Sequence, residues 1–191
     1  MQKTKVDERL QAMMKETGAL LEGHFRLTSG LHSGHYMQCA LLLSIPRYAA
    51  YAGALLAEEL APLGPEAVFA PALGGLIIGH EVARQLSVPF YFAERENGSM
   101  KLRRFPHPSG TRFVVIEDVI TTGGSALEVG TLIAGTGNFW VGTGCIVDRS
   151  GGKAAFPHVL HSLWEAAFPT FPQGECPLCR DGIPVEKPGS R

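Results

Sequence analysis

The chain has 191 residues, 45% of them hydrophobic and 18% charged, which is enough apolar mass for one main core and excludes disorder throughout. A formal net charge of −1 creates no global field toward nucleic acid or an acidic membrane, so a bound anion must be held locally. The N-terminal segment is charged, and no later apolar run approaches the ~20 residues that span a bilayer, so neither a signal peptide nor a membrane anchor is expected.

Apolar residues recur at near-helical spacing from Val6 to Leu21 and predict an amphipathic helix packed by one face on the body. A turn-rich stretch from Thr28 to Gly34 leads to a second helical pattern over roughly Pro46 to Leu60. Short apolar runs then alternate with helical segments. Ala67 to Ala70 reads as a strand, followed by a turn at Gly74-Gly75 and a helix through Leu86. Strands are expected at Pro89 to Ala93, Arg112 to Val119 and Trp140 to Val147, with a helix from Ser125 to Ala134. This alternation implies an α/β fold, a mainly parallel sheet flanked by helices, with ligands beyond the carboxyl ends of its strands. After Pro169 the chain is rich in Pro, Gly and charge and reads as an extended tail that docks on the body.

The segment RFVVIEDVITTGGSALE, Arg112 to Glu128, carries the chemistry. Phe113 to Ile116 are continuously apolar, as a strand buried on both faces requires. Glu117 and Asp118 follow, and two adjacent carboxylates are costly unless the strand is emerging into a polar cleft. Such a pair suits sugar hydroxyls. Thr121-Thr122-Gly123-Gly124-Ser125 then offers hydroxyls and two glycines before a helix, where backbone amides cradle a phosphate. Ser125 and Glu128 also fit an S-x-x-E capping box, with Gly123-Gly124 an ordinary turn.

VVIEDVITTGGSA resembles the PRPP-binding motif of type I phosphoribosyltransferases, enzymes that use 5-phosphoribosyl-1-pyrophosphate (PRPP). The resemblance implies that Glu117 and Asp118 hold ribose hydroxyls, that the loop from Val119 and Ile120 through Thr121 to Ser125 holds the 5-phosphate, and that Asp118 is catalytic. Gly23 to Tyr36 is similar to the F-x-L-x-S-G-x-x-S-x-x-Y signature of orotate phosphoribosyltransferases, a hood over the pyrimidine that would bring Thr28 and Tyr36, with Thr121, to orotate. A plain connection between elements is the alternative. Asp148-Arg149 resembles that family's Asp-Arg step, in which the arginine meets the orotate carboxylate. The alternative is two solvated surface charges. Ala70 to Gly75 resembles the pyrophosphate loop, through Gly74 and Gly75. Glu94 to Arg104 resembles the mobile catalytic loop, with Arg95 and Lys101 as its candidates for neutralising pyrophosphate. Thr28 and Gly74 stand where family members often have lysine.

The resemblance further implies a single domain with a hood built from about residues 1–40 and the tail from about 170, acting as a homodimer with Mg²⁺ and no direct protein ligand to the metal, with a reducing cytoplasm as the default compartment. A phosphoribosyltransferase for adenine, xanthine or uracil, and a non-enzymatic PRPP sensor, are the rival readings.

The four cysteines, Cys39, Cys145, Cys176 and Cys179, show no disulfide spacing. Cys176 and Cys179 form a C-x-x-C, but a closed zinc site needs four ligands and no second paired motif follows, so ordinary thiols are expected. His32 and His35 read as a polar surface rather than as metal ligands.

Overall fold

A computed structural model describes residues 7–27, 29–106 and 108–188. Of the residues singled out above, Val6 and Thr28 lie outside the described residues.

The first helix, α1 (Glu8–Glu16), is shorter than its apolar pattern predicts. The Asp7 carboxylate accepts from the Leu10 amide at 2.7 Å and caps its start. At its end the Thr17 hydroxyl donates to the Met13 carbonyl at 2.8 Å, and Gly18 takes a left-handed φ of 70°. Leu20 and Leu21 therefore open a strand, β1 (Leu20–Arg26), which pairs antiparallel with β2 (His32–Met37). The short helix α2 (Cys39–Leu43) and the long α3 (Pro46–Leu60) follow.

The body is a six-stranded sheet. Its strands are β3 (Ala67–Pro71), β4 (Phe90–Glu96), β5 (Ser99–Lys101), β6 (Arg112–Ile120), β7 (Phe139–Asp148) and β8 (Leu160–Glu165), in the order β5-β4-β3-β6-β7-β8. All pairings are parallel except that of β4 with β5. Between β3 and β4 runs α4 (Gly75–Leu86), and between β6 and β7 runs α5 (Gly124–Ala134).

Alternate residues of β6 go to opposite cores, as its unbroken apolar run implied. Val114 and Ile116 join Leu56 and Leu60 of α3 and Ile78 and Val82 of α4 on one face. Phe113 and Val115 join Val129 and Ile133 of α5 on the other.

The tail adds β9 (Thr170–Phe171) to the free edge of β2, making a separate sheet ordered β1-β2-β9, and ends in the single-turn helix α6 (Pro177–Arg180). It then returns to β1, where the Arg26 amide donates to the Glu186 carbonyl and the Glu186 amide to the His24 carbonyl, both at 2.8 Å. The helix α2 and the strands β8 and β9 had no distinct signal in the sequence.

Candidate active site

The parallel strands bring Pro71, Glu117 to Ile120, Asp148 and Glu165 to one edge of the sheet. Glu117 is buried and Asp118 half-buried there. Their charges are not compensated by any cation within ion-pair distance among the described residues. Burial first, and the neighbouring Asp118 charge second, push the Glu117 carboxyl up to about 8. Burial also raises the Asp118 carboxyl, against the Val119 amide that donates to its Oδ1 at 2.8 Å. Two acids held this way favour a ligand that brings hydroxyl donors and cationic charge.

The loop from Ala70 to Gly75 comes up against this pair, and its Ala72-Leu73 peptide is cis. A Cβ on Gly74 would lie 2.6 Å from Asp118 Oδ1, and one on Gly75 would lie 2.7 Å from the Ile116 carbonyl. Both glycines thus permit backbone to approach the acidic pair more closely than a side chain would allow.

The segment after the acids lines a small polar cavity formed by Val119, Ile120, Thr121, Thr122, Gly123, Gly124 and Ser125. Gly123 caps α5 with φ at 78°, and a Cβ there would meet the Phe156 ring at 2.9 Å, so conformation and space both call for glycine. The first turn of a helix presents amide donors without intrahelical partners, which suits a phosphate. The capping-box alternative is overturned. Ser125 lies inside the helix, and the Glu128 carboxylate instead accepts from the Met100 amide at 2.7 Å and from Arg95 at 2.8 Å.

Glu94 to Arg104 differs from the polar loop expected of it. Glu94 to Lys101 forms the β4-β5 hairpin, turning at Asn97-Gly98, and Met100 and Leu102 are buried against the α5 side of the sheet. Apolar anchors spaced along β5 and just beyond it hold the segment down. Its cations pair with acids: Arg95 with Glu128, Lys101 and Arg103 with Glu96, and Arg104 with Glu94. These pairs are exposed and weak, and an incoming polyanion would compete for the same cations.

At the end of β7, Ile120 pairs with Asp148, and the Arg149 amide donates to the Ile120 carbonyl at 2.7 Å. The Asp148 carboxylate accepts from the Ser150 amide at 2.7 Å and shapes the turn. The surface-charge reading of this pair is corrected for Arg149, which is half-buried, with an enclosed Nε that has no hydrogen-bond partner among the described residues. Burial lowers its pKa. Its guanidinium carbon sits 5.8 Å from the centre of the Phe168 ring, and His35 of β2 stacks on that same ring at 4.3 Å and 8°.

Phe168 went unnoticed in the sequence, since it belongs to no motif with a chemical role, and His35 was read only as part of a polar surface. Tyr36, next along β2 and so on its other face, packs at 6.0 Å from Phe25. The structure thus joins Glu117, Asp118, Gly74, Gly75, the Thr121 to Ser125 loop and Arg149 along one edge, while Arg95 and Lys101 stand on the hairpin.

A profile of the phosphoribosyl transferase domain matches residues 42–158. The orotate phosphoribosyltransferase of Thermotoga petrophila is 48% identical over 184 residues, covering 95% of this chain and 98% of that protein. The chain belongs to the orotate phosphoribosyltransferase family. The family's protein from Chlorobium phaeobacteroides is 44% identical over 180 residues, 94% of this chain and 93% of its own. Among solved structures, the family's protein from Aeropyrum pernix superposes with a TM-score of 0.71 at 31% identity, over 82% of this chain and 93% of that one. The sheet and its flanking helices are accordingly the type I phosphoribosyltransferase fold.

Proposed function

We propose that the chain transfers ribose 5-phosphate from PRPP to the ring nitrogen of orotate, giving orotidine 5-monophosphate and pyrophosphate, a step of de novo pyrimidine (UMP) synthesis. The observation that carries the choice of base is Arg149, whose partly enclosed guanidinium has an unpartnered Nε at the end of β7. A planar carboxylate on the base is the partner that fork would take.

Glu117 and Asp118 would accept hydrogen bonds from the ribose hydroxyls, and the Thr121 to Ser125 loop with the start of α5 would hold the 5-phosphate. As the C1–pyrophosphate bond lengthens, positive charge grows on the ribose, and the two nearby carboxylates would stabilise it. Phe168 and His35 offer an aromatic wall beside Arg149, and Gly74 and Gly75 let the loop backbone lie against the acidic pair, where it would meet the departing pyrophosphate. Arg95 and Lys101 would exchange Glu128 and Glu96 for it.

Mg²⁺ fits this donor set, because Glu117 and Asp118 are hard oxygen groups with no compensating cation among the described residues. Bound with the substrate, it would supply charge neutralisation of the leaving group, with Glu117 and Asp118 as the acidic groups nearby rather than as direct ligands. We further place the protein in the cytoplasm as a homodimer. Supporting a dimer, Leu73 and Ile77 are exposed apolar residues beside the pyrophosphate loop. No helix among the described residues is long and apolar enough to cross a membrane.

The test is pyrophosphate release from PRPP and Mg²⁺ with orotate, uracil, adenine or xanthine as acceptor. Release with orotate alone is expected, and preference for another base would overturn the assignment.

A further inference from the structure

Away from the sheet edge, the tail and the β1-β2 hairpin bring four metal-ligating side chains together. His24 of β1, His32 of β2, and Cys176 and Cys179 at the start of α6 place their ligand atoms within 4.8 Å of one another. His24 Nε2 lies 2.8 Å from His32 Nδ1, 3.5 Å from Cys176 Sγ and 3.6 Å from Cys179 Sγ, and Cys179 Sγ is 3.3 Å from His32 Nδ1. For zinc bonded to nitrogen at 2.0–2.1 Å and sulfur at 2.3 Å, a tetrahedron has N···N edges of about 3.3 Å and N···S edges of about 3.6 Å. These four edges are close to those values, contracted to 2.8 Å between the two imidazoles, and all six lie within 4.8 Å.

Hydrogen bonding alone does not account for this crowding. His24 Nδ1 lies 2.7 Å from the Ile183 carbonyl, which accepts only if that nitrogen carries the proton. His24 Nε2 then has a single lone pair, and three groups converge on it. If His32 Nδ1 donates to that lone pair, neither thiol has a ring nitrogen left to donate to, and if the two thiols donate to the two nitrogens, the nitrogen lone pairs face each other at 2.8 Å, whereas a cation at the centre serves all four ligands. The Ile183 carbonyl is the outer partner that orients a metal-bound histidine and fixes its tautomer.

We propose that His24, His32, Cys176 and Cys179 form a closed structural zinc site that pins the tail to the β1-β2 hairpin. Two thiolates with two imidazoles in a tetrahedral arrangement suit zinc and not Mg²⁺. Two thiols release their protons on binding, and both histidines bind neutral. Cys176, His24 and His32 are buried, with 0%, 3% and 2% of their surface exposed, so four protein ligands fill the coordination sphere and leave no place for a substrate. The role is therefore to hold the fold, independently of the base the enzyme uses.

This overturns two readings of the sequence: that Cys176 and Cys179 lack partners, and that His32 is a surface residue. The partners were hidden because β1 carries a bulge between Glu22 and Phe25. In a regular strand neighbours face opposite sides, yet His24 and Phe25 are both buried. The extra residue turns His24 inward beside His32, and the tail supplies the sulfurs from more than 140 residues away.

The test is elemental analysis of the full-length, untagged protein purified without chelators, followed by Co²⁺ exchange and visible spectroscopy. One zinc per chain is expected, with the intense d–d bands of a tetrahedral Co²⁺ site and thiolate-to-metal charge transfer. Cys179→Ser should weaken the charge-transfer band and metal retention, and lower Tm by about 10 °C, as loss of a structural metal does. If that variant does not fold, the wild-type metal content and cobalt spectrum decide alone. Substoichiometric zinc that persists after reconstitution, another metal bound in its place, or a Co²⁺ spectrum without thiolate charge transfer would each overturn the assignment.

Discussion

The amide of Arg149 donates to the carbonyl of Ile120 at 2.7 Å, tying the residue proposed to meet the base to the last residue of the strand that carries the acidic pair. The two halves of the substrate site are thus fixed by backbone, and the side chains on either side can be altered without dismantling the edge.

Arg149 is held at a cost while no anion is bound, since burial disfavours its charge and its Nε has no partner. Arg149→Met should leave the Tm of the ligand-free protein unchanged or higher, by up to a few degrees, and should abolish stabilisation by orotidine 5-monophosphate. Thermal denaturation with and without that nucleotide checks both parts. A marked loss of ligand-free Tm would mean that the arginine is structural.

Glu117 gives a pH signature. Its carboxyl is pushed up to about 8 in the fold, against 4.5 for an unperturbed group, so between those values the folded state holds a proton that the unfolded chain has lost. Its contribution to stability is complete below about 4.5 and falls as pH rises toward about 8. Glu117→Gln should therefore raise Tm relative to the wild type more at pH 8.5 than at pH 5, while weakening use of PRPP. An equal Tm difference at both pH values would contradict the burial argument.

Asp118→Asn keeps the shape and removes the charge beside Gly74. It should lower kcat/KM for PRPP by ~10- to 100-fold, the scale of a hydrogen bond to a charged group, whichever base is offered. Steady-state kinetics with varied PRPP would show it, and an unchanged value would count against the ribose role.

Lys101 on β5 pairs with Glu96 at an exposed position. If its partner in the reaction is the departing pyrophosphate, Lys101→Ala should lower kcat by up to ~10²-fold with little change in the KM for orotate. In a dimer whose hairpin serves the neighbouring site, mixing Lys101→Ala with Asp118→Asn subunits should restore one working site per heterodimer. No recovery, with heterodimers shown to form, would assign each hairpin to its own subunit.

What was legible in the sequence had local causes. Phe113 to Ile116 announced a central strand because nothing else tolerates such a run there, and the acids followed at its end as a cleft demands. Helix boundaries were less readable: Leu20 and Leu21 continue the apolar period of α1, and only the Thr17 and Gly18 stop separates them from it. Ser125 and Glu128 have capping-box spacing, but Glu128 is taken by Arg95 and Met100 from another part of the chain. The hairpin cations were visible, but their pairing with Glu94, Glu96 and Glu128 was not. Phe168 and His24 acquire meaning only through contacts made by folding, one on Arg149 and the other across the bulge to the tail.

Selection of the base by Arg149 through the base's carboxylate can be measured with uracil, which is orotate without that group. The quantity is kcat/KM for orotate divided by that for uracil, measured for the wild type and for Arg149→Ala with PRPP saturating. The wild type should favour orotate strongly, and the variant should lose ~10- to 100-fold of that preference, mainly through orotate, while its KM for PRPP changes little. A variant that discriminates as well as the wild type would contradict the account.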